Sequence, residues 1–247
     1  MTPPTDETLL AEYYACDPKA FATLWFGQKQ PRRVGYMVRL NRYLAKAFPK
    51  IRETDREDLV NNVGLIVAQS KQQKSFDSNK KFRPWVFQIA RNQAVDFLKK
   101  KSNQEITGEE SEPGVPINPA DNRNPSAVGF EDETVEKAYV AIDRLPAEER
   151  EVFLLRLNGL SNQEAALILD ISEPVSSTRF QKALQKMENV LKDHVPDESE
   201  SMNPISERFF KRLQERHEYE LTLAFERMKR RYAGSSSASS AMKTRRT

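Results

Sequence analysis

The strongest constraint on the fold lies in residues 144–191, where helix caps and apolar residues recur at short intervals. Ser161 and Glu164 fit a capping box, in which each side chain accepts a hydrogen bond from a backbone N–H of the same first turn. Ser172 can cap a further helix. Pro174 would then lie in the first turn of that helix, where the N–H that proline lacks has no partner to lose. The pattern predicts three short helices joined by tight turns, the last two forming a helix-turn-helix.

The last of these helices has an apolar face and a polar face. Residues expected to face inward recur at helical spacing: Phe180, Ala183 or Leu184, Met187 and Leu191. The outward face near its N-terminus carries small polar, amide and ammonium groups: Ser177, Thr178, Gln181 and Lys182. In a helix-turn-helix this end enters the DNA major groove, so we expect these residues to bind DNA. An ordinary three-helix packing unit with a solvated outer face is the alternative.

Charge is distributed unevenly along the 247 residues, although the net charge is only +3. Residues 1–105 carry +8, whereas residues 106–136 carry −7. The basic segment predicts a polyanionic partner, with phosphate contacts supplying salt-sensitive affinity. No run approaches the roughly 18 apolar residues that span a bilayer, and the N-terminus lacks the features of a signal peptide. We therefore expect a cytoplasmic protein.

Helical spacing recurs through the first hundred residues. Helices are predicted at 8–26 with a second start at Asp17–Pro18, at 32–48, after a cap at Thr54 or Asp55, and at Phe82–Lys101. No stretch shows the sustained alternation of a β-strand. The expected fold is all-α, with two small helical domains and a C-terminal helical extension.

Two linkers divide the chain into the predicted domains 8–101, 131–195 and 196–247. Residues 102–130 are acidic, rich in Pro and Gly and poor in apolar residues, which predicts a flexible linker. A second linker follows Pro196, and a disordered tail is predicted from Gly234. Between them, residues 206–232 form a helix with one apolar stripe: Phe210, Leu213, Leu221, Phe225 and Met228. We expect this stripe to dock on the protein itself or on a regulator, unless the segment is a lone basic helix.

Aromatic and basic residues occur together around the start of the Phe82 helix. Phe82 and Trp85 precede Arg91, Asn92 and a run of lysines. Stacking of an unpaired base on an aromatic ring is worth roughly 1–3 kcal/mol, and basic side chains follow the phosphates. The segment therefore predicts binding to single-stranded DNA, with a core role as the alternative for Trp85. Phe87 and Ile89 are expected in the core.

Two segments resemble conserved regions of one protein family. DREDLVNNVGLIVAQS followed by FRPWVFQIARNQAVDFLKKK resembles region 2 of bacterial RNA polymerase sigma factors. LPAEEREVFLLRLNGLSNQEAALILDIS with STRFQKALQKM resembles their region 4. The order, the acidic linker and the absence of a middle domain are similar to the extracytoplasmic-function group. The resemblance covers roughly residues 8–193 and implies a factor that recognises and opens promoter DNA for core RNA polymerase.

The resemblance also implies a role for each matching position. Those facing the polymerase are Asp55, Asp58, Asn61, Asn62 and Gln69. Those at the minus-ten element, where a flipped base is captured, are Phe82, Trp85, Arg91, Asn92, Asp96, Lys99 and Lys100. Those at the minus-thirty-five element are Ser177, Thr178, Gln181 and Lys182, together with Arg179, which is equally suited to holding the helix in place.

Some residues depart from the family pattern. Asn62 and Gly64 stand where the family usually has an acidic and then a bulky apolar residue in the polymerase-facing helix. Ser176 stands where it usually buries Val, and Pro174 replaces a more usual Gly or Asn. Asn62 and Gly64 support an alternative function, a helix-turn-helix regulator that no longer binds polymerase.

Residues suited to catalysis or metal binding are scarce. The chain has one cysteine, Cys16, two histidines, His194 and His217, and only eight glycines. We find no nucleophilic triad, paired-carboxylate site or phosphate-binding glycine loop, so we predict neither an enzyme nor a cofactor or metal site. Cys16 is interpreted as a helix residue without a redox role. The expected partners are core RNA polymerase, promoter DNA and an anti-sigma or other regulatory protein, but no membrane.

Overall fold

A computed structural model describes residues 4–28, 33–73, 76–77, 80–107, 130–191 and 205–243. Its helices confirm the all-α prediction. They are α1 (Asp6–Tyr14), α2 (Pro18–Phe26), α3 (Tyr36–Ala47), α4 (Glu53–Gln73), α5 (Phe82–Thr107), α6 (Phe130–Arg144), α7 (Ala147–Leu157), α8 (Asn162–Leu169), α9 (Glu173–Leu191) and α10 (Ile205–Lys243). Within these ranges, no helix is both long enough and apolar enough to cross a membrane.

The predicted break between α1 and α2 is confirmed. The carboxylate of Asp17 accepts a hydrogen bond from the backbone N–H of Lys19 at 2.9 Å, and Pro18 occupies the first helical position. Cys16 lies between the helices with φ of 74°, so the expectation that it is a helix residue is wrong. Its thiol is exposed.

A short hairpin between α2 and α3 was not predicted. Strand β1 (Gly27–Gln28) pairs antiparallel with β2 (Arg33–Val34). Two-residue strands are too short to show alternation in the sequence. Gly27 has φ of 83°, and a Cβ there would lie 2.4 Å from the carbonyl oxygen of Arg33, so the hairpin requires glycine at this position.

Two helices are longer than the sequence predicted. Helix α5 includes residues 102–107 of the predicted linker, whereas residues 108–129 lie outside the described residues. Helix α10 includes residues 234–243 of the predicted disordered tail. Once a helix is formed, each added residue gains a hydrogen bond without a new nucleation cost, which explains such extensions. The second linker, residues 196–204, also lies outside the described residues.

The helices form two units that share one buried core. The N-terminal bundle comprises α1–α5 and is centred on Leu40, Tyr43 and Phe87. The helix-turn-helix unit comprises α6–α9 and is centred on Phe153 and Leu155. Helix α3 contacts α7 and α5 contacts α8, while α10 contacts both units. The surfaces predicted to bind DNA are therefore carried by two units that pack directly against each other.

Candidate nucleic-acid interface

Local capping positions the helix-turn-helix as predicted. The Ser161 hydroxyl accepts from the Glu164 N–H at 3.1 Å, and the Glu164 carboxylate accepts from the Ser161 N–H at 2.7 Å. Helix α8 ends at Asp170, whose φ of 55° turns the chain toward α9. The predicted capping box and the restart near Ser172 are both confirmed.

The inward face of α9 packs into the core of its unit. Phe180, Ala183, Leu184 and Met187 are buried, as the spacing predicted. The Phe180 ring lies 6.0 Å from that of Phe153. This packing fixes the rotation of α9 about its axis and hence determines which residues face outward.

The outward face of α9 carries the four predicted residues. Thr178, Gln181 and Lys182 are exposed, and Ser177 is half-buried. The Thr178 hydroxyl donates to the Pro174 carbonyl at 2.8 Å, which leaves its oxygen free to accept a further hydrogen bond. The structure thus brings a hydroxyl, an amide and an ammonium group together on one accessible turn.

Arg179 has a partner within its own unit. Its guanidinium lies 2.5 Å from the carboxylate of Glu148 at the start of α7. Lys186, two turns further along α9, pairs with the neighbouring Glu149 at 2.7 Å. Of the two roles considered for Arg179, this geometry favours holding α9 in place.

Ser176 is fully buried at the base of α9. Its hydroxyl has no hydrogen-bond partner among the described residues, and leaving such a group unsatisfied costs about 1–3 kcal/mol. The serine therefore faces the interior, like the valine usual in the family. This departure from the family pattern changes stability rather than the orientation of the DNA-facing residues.

Part of the DNA-binding face predicted on α5 is accessible. Asn92, Asp96, Lys99 and Lys100 are exposed and share one side of the helix, because their spacing follows helical periodicity. Among the described residues, neither Lys99 nor Lys100 forms an ion pair. This half of α5 can approach DNA without rearrangement.

The structure contradicts the prediction that Phe82 stacks on a base. Its side chain is fully buried, with the ring edge-on to Tyr36 at 5.2 Å. Trp85 is half-buried, and the centroid of its ring lies 4.9 Å from that of the Phe76 ring. This contact was not predicted. Phe76 is the one large apolar residue of the sequence 71–81, and this could have indicated that its ring packs against a neighbouring helix. Trp85 and Phe76, rather than Phe82, present aromatic surface at this end of α5.

Two basic residues of the N-terminal bundle are already paired with the other unit. Arg91 lies 2.9 Å from Glu151 of α7, and Lys81 lies 2.8 Å from Glu164 of α8. Partial burial alone would raise the pKa of Glu164, but hydrogen bonds from Lys81 and the Ser161 N–H lower it overall. The carboxylates of the helix-turn-helix unit therefore neutralise two cations of the N-terminal bundle, of which Arg91 is predicted to bind DNA.

The outer face of α4 carries the residues predicted to face polymerase. Asp58, Asn61, Asn62 and Gln69 are exposed, whereas Asp55 is half-buried and lies 3.6 Å from Arg52. Among them the structure exposes Leu65, with 58% of its surface accessible, which the sequence analysis missed. Its exposure could have been predicted, because Leu65 lies one helical turn from both Asn61 and Gln69 and therefore on the same face of α4. A single apolar residue thus lies inside a polar helix face.

Gly64 faces the opposite way, into the bundle. A Cβ at this position would lie 2.8 Å from the indole ring of Trp25, so the tryptophan fills the space beside the glycine. Trp25 itself is buried. Gly64 is therefore a packing feature of α4 and gives no support to a loss of polymerase binding.

Family models match both units. Sigma-70 region 2 matches residues 31–104, and sigma-70 region 4 matches residues 136–187. The chain belongs to the sigma-70 family. This confirms the resemblance, and the chain is accordingly an RNA polymerase sigma factor that recognises promoters.

Curated relatives agree with this membership and indicate the extracytoplasmic-function group. The sigma factor is 29% identical over 156 residues to the ECF RNA polymerase sigma factor SigX of Bacillus subtilis, covering 59% of this chain and 77% of that protein. It is 27% identical over 111 residues to the probable RNA polymerase sigma factor RfaY of Xanthomonas campestris, covering 44% of this chain but only 28% of that protein.

Solved structures with some likeness include two complexes. One is CnrH with the cytosolic domain of CnrY, at 22% identity and a TM-score of 0.45, covering 76% of this chain and 97% of that chain. The other is RpoE with the anti-sigma factor NepR from Bartonella quintana, at 21% identity and a TM-score of 0.46, covering 63% of this chain and 91% of that chain. At these scores, neither carries a conclusion about this sigma factor.

Proposed function

We propose that this sigma factor divides promoter recognition among three helix faces. The outer face of α4 binds core polymerase, α5 captures the minus-ten element, and α9 reads the minus-thirty-five element. The observation that carries the proposal is that most of the positions matching the family roles are exposed on these three faces, although they are far apart in the sequence.

Leu65 is the proposed centre of the polymerase contact. Burying an exposed leucine stabilises a complex by about 1.5–3 kcal/mol, whereas the surrounding polar groups largely exchange water for protein partners. The neighbouring Asp58, Asn61 and Asn62 then fix the orientation of the contact. Asn62 lacks the charge usual in the family, so we assign more of the affinity to Leu65 than to this position.

Helix α5 is proposed to open the duplex without making or breaking a covalent bond. Extruding a base costs a few kcal/mol, and stacking on Trp85 with hydrogen bonds from Asn92 offsets this cost. Lys99 and Lys100 bind phosphates and contribute the salt-dependent part of the affinity. Catalysis then belongs to the polymerase, and the protein acts in the cytoplasm, where polymerase is located. Binding of an anti-sigma or other regulatory protein stays a prediction of the resemblance.

In-vitro transcription tests the proposal. Purified protein is added to core polymerase and a pool of genomic fragments, and the transcripts are sequenced. We expect new start sites that share two upstream elements. Absence of protein-dependent transcripts, together with failure to co-elute with core polymerase, would sink the proposal. Sequence-specific DNA binding without polymerase binding would instead support the alternative regulator.

A matched pair of leucine variants tests the role of α4. Leu65→Ala is expected to weaken binding to core polymerase, whereas Leu167→Ala is not, because Leu167 lies on α8 in the other unit. Both leucines are exposed, Leu167 at 67%, so neither change should unfold the protein. Equal affinities of the two variants would remove Leu65 from the polymerase contact.

A further inference from the structure

The packing of the two units conflicts with simultaneous binding to both promoter elements. Elements centred at minus ten and minus thirty-five are about 25 base pairs apart, or about 85 Å at 3.4 Å per base pair. DNA of this length is nearly straight, since its persistence length is about 150 base pairs. In the structure, by contrast, α5 and α8 are in direct contact, and Arg83 of α5 donates to the Asn158 carbonyl at the end of α7 at 3.2 Å. The units must therefore separate on a promoter.

The contacts between units also occupy one of the groups that are proposed to bind DNA. Glu151 holds Arg91, which matches a minus-ten position of the family, so a carboxylate lies where a phosphate would bind, and Glu164 also holds Lys81 of the N-terminal bundle. A third pair between the units joins Lys46 of α3 to Asp143 of α6 at 2.6 Å. The Lys81 and Lys46 pairs are largely exposed and contribute little stability alone, so the closed arrangement depends mainly on the shared apolar core, to which α10 adds contacts with both units.

The N-terminal part of α10, residues 210–217, packs on the helix-turn-helix unit. The Phe210 ring lies edge-on to Phe180 at 4.9 Å and to Phe153 at 5.5 Å. The Gln214 amide donates to the Arg156 carbonyl at 2.9 Å. One turn later, Nδ1 of the buried His217 lies 3.2 Å from the Tyr139 hydroxyl.

The following part of α10 packs on the N-terminal bundle. Both carboxylate oxygens of Glu218 accept hydrogen bonds from the Arg39 guanidinium, at 2.6 and 2.7 Å. Leu221 and Phe225 are buried in a separate small cluster with Val34 and Val38. The change of partner occurs between residues 217 and 218, so a single continuous helix bridges the two units.

We propose that α10 is an intramolecular clamp that holds the two promoter-binding units in a closed arrangement and must release one of them before promoter binding. Release of the Glu218 half frees the N-terminal bundle while leaving Phe210 and Leu213 seated on the helix-turn-helix unit. The clamp thereby limits DNA binding by the free protein. Its effect on DNA depends on the proposed function, whereas its effect on domain distance does not.

Energy transfer between two dyes tests the clamp in the full chain. Cys16 is the sole cysteine and is exposed on the N-terminal bundle, so Leu167→Cys supplies the second label on the other unit. Glu218→Ala removes the paired hydrogen bonds to Arg39 and is expected to lower transfer efficiency. In unlabelled protein, the same change should raise affinity for promoter DNA without polymerase by about two- to fivefold.

Three further variants make the outcome decisive. Glu215→Ala removes an exposed glutamate from the same helix and should leave both readouts unchanged. Exchange of the charges, Arg39→Glu with Glu218→Arg, should restore wild-type transfer if the pair acts as described. Unchanged transfer in both Glu218→Ala and a Leu221→Ala Phe225→Ala variant would overturn the clamp. Failure of the wild type to bind core polymerase would instead overturn the proposed function and leave the distance result intact.

Discussion

The two helices that are proposed to bind DNA, α5 and α9, differ in the partners of their ion pairs. On α9, Arg179 and Lys186 pair with Glu148 and Glu149 of the same unit, and the DNA-facing residues stay exposed. On α5, Arg91 pairs with Glu151 of the other unit. The pairs of α9 therefore persist when the units separate, whereas the pair of α5 is lost. The proposed DNA-binding surface of α9 is thus accessible in either arrangement, whereas that of α5 becomes fully available only if the units separate.

The largest expected effect comes from breaking the exposed surface of α9. In the polymerase-bound protein, Gln181→Ala should remove about 1–3 kcal/mol of discrimination at one base pair. Lys182→Ala should weaken binding to all sequences and reduce the slope of affinity against salt by about one. Titration of promoter fragments at several salt concentrations measures both.

Lys186→Ala is the control on the same helix. Because Lys186 is engaged by Glu149, we expect no change of the salt slope. If Lys186→Ala and Lys182→Ala reduce the slope equally, the distinction between internal and DNA-facing cations on α9 is wrong.

The second effect is a pH dependence of the closed arrangement. Burial, aided by Arg42 and Arg39 and opposed by Glu218, lowers the pKa of His217 to about 3. In the undocked helix the pKa returns to about 6.5. Docking therefore keeps its full strength above about pH 6.5 and loses it as pH falls toward 3, amounting to about 1.4 kcal/mol between pH 7.5 and 5.5.

Energy transfer at the two pH values measures this change, and the other groups around the histidine define its control. Tyr139 faces His217 from α6, and Asn158 faces it from the end of α7 at 3.5 Å, both neutral in this range. His217→Gln should remove most of the pH dependence while keeping a polar side chain. Persistence of the full effect in His217→Gln would assign it to other groups.

The third effect is a change in stability at the buried Ser176 of α9. Ser176→Ala removes a buried hydroxyl without a partner among the described residues and should stabilise the protein by about 1 kcal/mol. Thermal unfolding measures the change. Ser177→Ala, on the half-buried outer side, is the matched control and should change stability by less than about 0.5 kcal/mol. A destabilised Ser176→Ala protein would mean that this hydroxyl has a partner after all.

The smallest expected effect is on the α5 surface in the closed protein. In the free chain, Arg91→Ala should change non-specific DNA binding by less than about 0.5 kcal/mol, because Glu151 already holds the guanidinium. Lys99→Ala, on the exposed half of α5, should weaken binding more. Filter binding to a random duplex compares them, and a larger loss for Arg91→Ala would show that the pair does not restrict DNA access.

Many local features of the fold could be predicted from the sequence. The Ser161 capping box, the Asp17 cap and the inward stripe of α9 are confirmed, because caps and helical periodicity depend on residues within a turn or two. The hairpin at Gly27 was missed because its strands are too short to show a pattern. Exposure of Leu65 and burial of Phe82 were missed because each depends on helices distant in sequence.

The sequence by itself determined the order of the helices, the helix-turn-helix and the family, since these depend on short-range spacing and on motifs. Only the tertiary structure decided that Gly64 packs on Trp25, that Glu151 holds Arg91, and that α10 docks on both units. An amphipathic stripe specifies that a helix must be buried, but it does not specify against which surface. That choice depends on contacts between residues far apart in the chain, such as Arg39 and Glu218, which are 179 positions apart.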